Sequence, residues 1–472
     1  MRLARRRRAE QRYPSICRYG SRNPTNDGPS LRYPQIIACF LLLSLIGLTS
    51  AGCGKSSAEP AGPIHLSVWT MWSGQEERNF LAVLQRYHEL HPNIVVENLG
   101  AIHDDTKTVR AIVAGVPPDI CTLYNPLFIG PLAANGALTQ MDQRFTAAGF
   151  NRDDFVKASL DLCSHRGRLY GMPFLIDDQA LLWNKRTFRE AGLDPDRPPA
   201  TLEELEQIAI KLTKTDAAGH ITQLGIAPVY NRSFEAGDLP LLFLLFGGSL
   251  TDPSGEKPTP DLPENIRALT WYKGLIDKMG GGQKVYSFAA GFGQPQGANN
   301  PFFMGKIAMM INGEWNPYWK TKYAPDLEFG VAPFPAPASR PDRQLSIWFG
   351  GNVFCIPKGS KHPKEAWDLL VWMQTDEAQV LFAGAMNNVP NRKSALHSPA
   401  LRTGAPYKAQ YSQFLDIAET KNGANFPTIP AANLYYTQLY DMLDSVMMGQ
   451  KSPANALRDV RDKVQKEMDK YQ

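Results

Sequence analysis

The chain has 472 residues, with 43% hydrophobic and 20% charged residues and a formal net charge of +4, which is typical of a folded globular protein large enough for two lobes. The first 52 residues carry nine Arg against Glu10 and Asp27, a local charge of +7, and subtracting this from +4 leaves −3 for the remainder. A mildly acidic remainder without a basic block lacks the electrostatic support that nucleic-acid binding needs.

An uncharged apolar run of 17 residues, from Ile36 to Gly52, follows this basic leader and stops at Cys53. This order of basic, apolar and small residues is typical of an export signal. Ser50-Ala51-Gly52-Cys53 resembles a bacterial lipobox, in which the cysteine is lipidated and becomes the mature N-terminus, although Leu is more usual where Ser50 stands. The alternative is a transmembrane anchor, but the run is shorter than the ~20 residues that span a bilayer. We therefore predict that residues 1–52 are a signal peptide and that Cys53 holds a lipid anchor on the periplasmic or extracellular face.

The first elements after the anchor alternate between strand and helix patterns. Residues 53–63 are small and polar, as in a flexible tether. Ile64, Leu66 and Val68 alternate with less apolar residues and predict a strand, and Ser73-Gly74-Gln75-Glu76 matches a capping box that opens a helix. The following patterns predict strands at 93–97 and 120–123 and a helix over about 104–114. This order implies an α/β fold with a parallel sheet covered by helices.

The second half of the chain shows the same alternation. Its predicted elements are a buried strand at Ala180–Trp183, a helix capped by Thr201 that ends near Thr213, a buried apolar segment at Leu241–Phe246, a strand at Lys306–Ile311, and helices that open at Pro363 and Pro453. The stretch 279–301, rich in Gly, Pro and Asn, predicts a long loop.

The cysteines beyond the leader and Cys53 point away from a metal centre. Cys121, Cys163 and Cys355 are widely separated, and no CxxC or Cys/His spacing of a zinc site occurs. We expect buried free thiols, with one disulfide among the three left open. We predict no cofactor and no metal.

A set of ordered segments then points to a family. They are Leu66–Gly74, His91–Val96, Gly115–Ile120, Asn135–Leu138, Trp183–Lys185, Ala191–Leu193, Thr201–Leu205, Met310–Trp315, Gly350–Asn352 and Ile356–Ser360. Together they span residues 64–470 and resemble the bacterial extracellular solute-binding proteins of ABC transporters, family 1, the maltose-binding type. No single segment is diagnostic; the order of the whole set carries the resemblance.

The resemblance implies a periplasmic-binding-protein-like fold of type II, with two α/β lobes that close on a ligand around a hinge. The first lobe would comprise 64–175 plus 348–390, and the second 176–347 plus 391–472. The chain would cross between them near Met172–Gln179, Trp348–Cys355 and Asn388–Arg392. The implied function is that of a monomeric binding protein, not an enzyme, which captures a sugar or oligosaccharide and delivers it to an ABC permease.

Aromatic rings and carboxylates are the side chains that would hold a sugar, because a ring covers the apolar face and a carboxylate accepts from the hydroxyls. Trp72, Tyr124 and Asn125 follow predicted strands, where an open α/β sheet presents its ligand crevice. Trp315, in Asn-Gly-Glu-Trp, resembles the family's stacking tryptophan. Trp348 adjoins Gly350-Gly351, where backbone could approach a ligand. Core packing is the alternative for all three tryptophans.

Two further candidates lie at the predicted hinge and near the C-terminus. Asp177 and Asp178 are adjacent, and on a strand they would point to opposite faces, so both cannot flank one glycosidic bond. We therefore expect one of them, taken as Asp177, to accept hydroxyl groups in the cleft. Tyr435 and Tyr436 follow Pro427-Thr428-Ile429-Pro430, where the family often places a stacking ring. Helical spacing with Leu439 favours a core role for one of the two, and Tyr436 is taken as the ligand candidate.

Three alternatives to a sugar-binding protein remain at this stage. One is a secreted carbohydrate-active enzyme, a glycoside hydrolase or lyase, and another is a sensor that presents its ligand to a membrane kinase. Within the binding-protein hypothesis, the ligand could also be a polyol or a glycerol phosphate, since Arg232 and Arg392 would suit a phosphate group.

Overall fold

The computed structural model describes residues 62–123, 126–229, 239–292, 297–404 and 407–471, with the side chain of Met386 left out. The strands are β1 Ile64–Trp69, β2 Ile94–Leu99, β3 Ile120–Leu123, β4 Ser164–His165, β5 Arg168–Leu169, β6 Met172–Asn184, β7 Lys214–Thr215, β8 Ile221–Ile226, β9 Ile307–Gly313, β10 Phe329–Ala332, β11 Ile347–Cys355, β12 Val389–Pro390 and β13 Gly423–Ala424. The helices are α1 Gly74–Leu90, α2 Asp105–Val113, α3 Ile129–Ala134, α4 Asp142–Ala147, α5 Lys157–Leu162, α6 Lys185–Glu190, α7 Leu202–Leu212, α8 Leu239–Phe246, α9 Pro263–Lys278, α10 Gly282–Ala290, α11 Asn316–Tyr323, α12 Pro363–Trp372, α13 Asp376–Met386, α14 Lys393–Leu396, α15 Pro399–Arg402, α16 Lys408–Ile417, α17 Ala432–Met447 and α18 Pro453–Met468.

The main sheet has the strand order β2-β1-β3-β11-β6-β9-β8-β7. The pairs β1–β2, β1–β3 and β8–β9 are parallel, whereas the edge pair β7–β8 is antiparallel. In the middle of the sheet, β11 runs antiparallel to both β3 and β6, and β6 runs antiparallel to β9. The two halves of the sheet therefore meet at β6.

Strand β6 belongs to both halves because its two ends pair with different neighbours. Residues 172–178 pair with β11, and 179–184 pair with β9 and β10. The strand β12 pairs with the first part of β6, at Leu175 and Ile176. All three segments predicted as crossings thus contain strands, and these strands lie side by side. The exact lobe boundaries stay a prediction.

Most of the predicted elements are present. The side chains of Thr201 and Ser452 accept from the backbone N–H groups of Glu204 and Asn455, as N-caps should. The apolar segment 241–246 lies in the buried helix α8, and the last helix buries the predicted stripe of Leu457, Val460, Val464 and Met468. The predicted strand 180–183 is the second part of the longer strand β6.

Two local predictions are wrong. The Ser73 side chain makes no capping hydrogen bond to α1, although Ser73 has the extended conformation of an N-cap. The stretch 279–301 is not one long loop, because α10 occupies Gly282–Ala290. Val285 and Ala289, four positions apart, are both buried on one face of α10, which is the periodicity that the Gly and Pro content concealed.

The three cysteines are buried free thiols, as expected. Cys121 of β3 stands opposite Cys355 of β11 in the antiparallel pair. Burial raises the pKa of the Cys121 thiol to about 12, so the thiolate is disfavoured. Within the part of the chain that the structure describes, no helix is both long enough and apolar enough to cross a bilayer.

Candidate functional site

The centre of the candidate site is the Asp177-Asp178 pair of β6. Asp177 stands opposite Gly350 of β11, and Asp178 stands opposite Phe349. Because successive side chains of a strand point to opposite faces, the two carboxyl groups have different surroundings. Asp177 is half-buried, whereas Asp178 has no exposed surface. Asp177 is therefore the one that a ligand could reach, and a Cβ on Gly350 would lie 3.5 Å from its Oδ2.

Trp315 lies between the end of β9 and the start of α11, and β9 is the strand that pairs with the second part of β6. Its ring covers Gly313, because a Cβ built on this glycine would fall 2.2 Å from the ring. Gly313 stands opposite Gln179, two residues beyond Asp177 along β6. Adjacent strands are about 4.8 Å apart, so the backbone that carries Trp315 lies close to Asp177. The ring is half-buried, which leaves part of its surface free for contact with a ligand.

Trp348 and Tyr436 meet on the other side of β6 through Phe426. The ring centroid of Phe426 lies 6.2 Å from that of Trp348 and 5.5 Å from that of Tyr436, with both pairs edge to face. Tyr436 is half-buried, but Trp348 is only 7% exposed and lines a small cavity of about 100 Å³. This burial favours the packing role for Trp348, and its contact with a ligand stays a prediction.

Trp72 packs in the core, which favours the packing role for its ring, and its contact with a ligand stays a prediction. It is 3% exposed, and its ring centroid lies 4.7 Å from that of Phe80 and 4.8 Å from that of Phe382. Phe174 and Phe354 complete this aromatic cluster. The Trp72 ring thus packs against residues of α1 and α13.

Several predicted residues lie outside the described part of the chain, namely Cys53, Tyr124, Asn125 and Arg232. Arg392, which was considered for a phosphate ligand, is engaged elsewhere. Its guanidinium lies 4.6 Å from the ring centroid of Phe155 and 3.9 Å from the carboxylate of Asp154. This placement removes one of the two cations that favoured a phosphate.

A buried carboxyl, Glu314, stands immediately before Trp315. It has no exposed surface, and its Oε2 accepts from the backbone N–H of Asp178 at 3.3 Å while its Oε1 accepts from Asn388 Nδ2 at 3.0 Å. Burial and the nearby Asp177 raise the pKa values of both Asp178 and Glu314 well above their ordinary range. The site therefore combines one accessible carboxylate with two buried carboxyl groups.

The sequence analysis missed Glu314, Asn388 and Phe426 as parts of this region. Only Glu314 left a signal, since it is a charged residue directly after the uninterrupted buried strand β9. Such a residue is either at the surface or held by partners inside the protein. The Asn-Gly-Glu-Trp motif that indicated Trp315 contains Glu314, but the burial of Glu314 depends on strands distant in sequence.

Chemically, the half-buried rings of Trp315 and Tyr436 and the carboxylate of Asp177 suit a ligand with apolar faces and many hydroxyl groups. Asp177 and Asp178 do not form a glycosidase pair, because only Asp177 is accessible. In the described ranges, no group of three or more His, Cys, Asp or Glu residues is placed to hold a metal ion. Two larger depressions, of about 700 and 420 Å³, are lined by other residues.

The chain is similar in sequence to two binding proteins named for oligosaccharides. The chain is 26% identical over 359 residues to the arabinooligosaccharide-binding protein of Bacillus subtilis, covering 73% of this chain and 77% of that one. It is 24% identical over 339 residues to the maltotriose-binding protein of Pyrococcus abyssi, covering 71% and 68%.

Solved structures share the fold. The mannotriose-bound structure of CpMnBP1 matches with a TM-score of 0.72 and 29% identity, over 85% of this chain and 100% of that chain. A solute-binding protein from Thermotoga lettingae, bound with α-D-tagatose, matches with a TM-score of 0.69 and 23% identity over 86% and 100%. The fold is thus the two-lobe, type II periplasmic-binding-protein fold.

The family model of the bacterial extracellular solute-binding proteins matches residues 73–380, which is more than half of the chain. This range contains Asp177, Trp315 and Trp348, as well as the strands β6, β9 and β11. The chain therefore belongs to the bacterial extracellular solute-binding protein family.

Proposed function

We propose that this protein captures a sugar or oligosaccharide at the junction of the two sheet halves, with Trp315 as the stacking ring and Asp177 as a hydroxyl acceptor. The observation that carries the proposal is that Trp315 and Asp177, both half-buried, lie on neighbouring parts of the paired strands β9 and β6, where Gly313 stands opposite Gln179. The named sugars and oligosaccharides of the relatives support this ligand class. A sugar is also compatible with the neutral aromatic surroundings of Trp348 and Tyr436.

Delivery to an ABC permease, and closure of two lobes around the ligand, complete the proposal. The strands β6, β11 and β12 lie together where the predicted crossings fall, so a change in their backbone angles would move one half relative to the other. Small-angle scattering of the pure protein should show a smaller radius of gyration with ligand. An unchanged radius at saturating ligand would argue against closure.

We also propose that Cys53 carries a lipid and that residues 1–52 are removed. The basic leader, the apolar run and the lipobox-like Ser-Ala-Gly-Cys support this step. Mass spectrometry of the N-terminal peptide from the native membrane fraction tests it. An intact leader with a free Cys53 thiol would contradict the anchor without affecting the sugar-binding proposal.

A thermal-shift screen of residues 53–472 against a carbohydrate panel tests the ligand class. At a ligand concentration of about 100 times the Kd, binding should stabilise the native state by about 2.7 kcal/mol, which raises the melting temperature. The panel should include polyols and glycerol phosphate, because these are the competing ligand classes. Each ligand that binds should then be incubated with the protein, and steady product formation would favour the carbohydrate-active enzyme instead.

A further inference from the structure

The Asp178 carboxyl is fully buried, yet it has no hydrogen-bond partner for either oxygen among the described residues. It is held in the middle of β6, opposite Phe349 of β11, so it cannot turn to solvent without breaking the strand pairing. A buried carboxylate without donors is strongly disfavoured relative to the neutral acid. The fold therefore places a proton-binding group inside its central junction.

Glu314 connects Asp178 to Trp315, the proposed stacking ring. It accepts from the Asp178 backbone N–H and from Asn388 Nδ2, at 3.3 and 3.0 Å. The Asn388 carbonyl in turn accepts from the Tyr411 hydroxyl at 2.6 Å. These bonds connect the end of β9, the centre of β6, the residue before β12, and α16. Trp315 directly follows Glu314, so the position of its ring depends on this connection.

The charged and titratable groups around Asp178 and Glu314 do not neutralise the two negative charges that these side chains would carry when ionised. Asp177 of β6 adds a third carboxyl, and α16 contributes Tyr411, whose ring lies 4.9 Å from the Lys408 amine. Arg402, which also faces Tyr411, is paired with Asp416 at 2.7 Å. The paired segments 349–352 and 389–390 carry no titratable side chain.

We propose that Asp178 and Glu314 form a buried proton-binding pair that positions Trp315 against β6, and that ligand affinity falls as this pair loses its proton. Asp178 and Glu314 are positioning residues, because both are fully buried and only Asp177 is accessible to a ligand. The affinity part of this inference rests on the proposed sugar-binding function. The proton-binding part does not, because it can be measured without any ligand.

The sign of the pH effect follows from the raised pKa of Asp178, whose ordinary value is 3.8. Below this value the folded and unfolded chains both hold the proton, and the stabilisation by the neutral pair is fully present. Above it, the unfolded chain releases the proton while the folded chain keeps it, so stability is lost as pH rises towards the folded pKa. For one proton, the unfolding equilibrium constant rises about tenfold per pH unit in this window.

The test compares denaturant unfolding of the wild type and Asp178→Asn between about pH 5 and about pH 8. Asparagine is close in shape to the neutral acid but cannot ionise. The ratio of the wild-type to the variant unfolding constant should therefore rise with pH, by up to about tenfold per unit. Asp326→Asn, at an exposed aspartate, is the matched control for the loss of one surface carboxyl. A flat ratio for Asp178→Asn would overturn the proposal.

Infrared difference spectra of the wild type across the same pH range provide a second test, which needs no variant to fold. A protonated carboxyl band should persist well above the pH at which exposed carboxyls ionise, and its absence at about pH 6 would also overturn the proposal. Glu314→Gln should shift or remove this band.

The predicted effect on ligand affinity is measured with a saccharide that binds in the thermal-shift screen. The Kd of the wild type should rise with pH over the same window, and the Kd of Asp178→Asn should change less. Equal pH dependence in the two proteins would overturn the positioning role. If no saccharide binds at any pH, the proposed function fails, whereas the unfolding and infrared results still decide the proton-binding pair.

Discussion

Asp119 and Asp178 are both buried aspartates of the same sheet, at 4% and 0% exposure, but their carboxylates meet opposite surroundings. Asp119, just before β3, accepts from the backbone N–H groups of Ser67, Lys361 and His362 at 2.9 to 3.0 Å. The hydroxyl groups of Ser67 and Ser360 also donate to it. Burial alone would raise the Asp119 pKa, but these hydrogen bonds hold it below its ordinary value, whereas Asp178 is shifted upwards.

Two tryptophans repeat this contrast between the two regions. Trp72, which follows β1 in the first half of the sheet, is enclosed by aromatic rings, whereas Trp315, which directly follows Glu314, keeps part of its ring exposed. The comparison teaches that the Asp119 carboxylate is fully hydrogen-bonded and the Trp72 ring is enclosed, as in a static core. At the junction, the Asp178 carboxyl has no hydrogen-bond partner among the described residues, and the Trp315 ring is partly exposed. Such features are typical of a site whose surroundings change on ligand binding.

Trp72→Ala should have the largest effect on stability. Removal of a fully packed ring from the aromatic cluster should cost about 3–5 kcal/mol of the free energy of unfolding. Denaturant unfolding of the purified variant measures it. A loss below about 1 kcal/mol would show that Trp72 is not a core residue and would favour it as a ligand residue.

Asp119→Asn should cost about 1.5–3 kcal/mol at neutral pH, because an NH2 group, which donates, replaces one of two carboxylate oxygens that both accept hydrogen bonds. The lowered pKa of Asp119 gives the sign of the acid effect. Its stabilisation is present above the unfolded value of 3.8 and is lost as pH falls through the folded pKa. The variant should therefore lose less stability on acidification than the wild type, and parallel acid curves would contradict this account.

Gly313→Ala should act mainly on Trp315. The new Cβ would meet the ring at 2.2 Å, so the ring must move, with an expected stability cost of about 1–3 kcal/mol and a weaker affinity for sugar. Gly274→Ala, in helix α9, is the matched control, since nothing lies within 4 Å of its new Cβ. Equal affinities of the two variants would show that the ring position over Gly313 does not matter for binding.

Much of the fold could be predicted because its signals are local. The alternation of Ile64, Leu66 and Val68 and the caps at Thr201 and Ser452 act within a few residues of each other. Helix α10 was missed because Gly and Pro dominate the composition around it, while the buried spacing of Val285 and Ala289 depends on packing.

The candidate site was less predictable, since its geometry depends on strands far apart in the chain. Trp72 and Trp315 both follow a predicted strand, and only the tertiary structure shows that one is sealed. Adjacent positions on a strand were enough to separate Asp177 from Asp178, but not to say which one is buried. The role of Glu314 required the contact with Asn388, 74 positions away.

The most direct test of the central claim is a calorimetric titration of a saccharide into the wild type, Trp315→Ala and Trp319→Ala. Trp319 is the control because it is also half-buried on the same segment, where it stacks on Tyr323 at 5.7 Å. Trp315→Ala should weaken binding by about 1–3 kcal/mol, or roughly 5- to 150-fold in Kd, with little change in ligand-free stability. Trp319→Ala should bind like the wild type. An unchanged Kd for Trp315→Ala would contradict the assignment of Trp315 as the sugar platform.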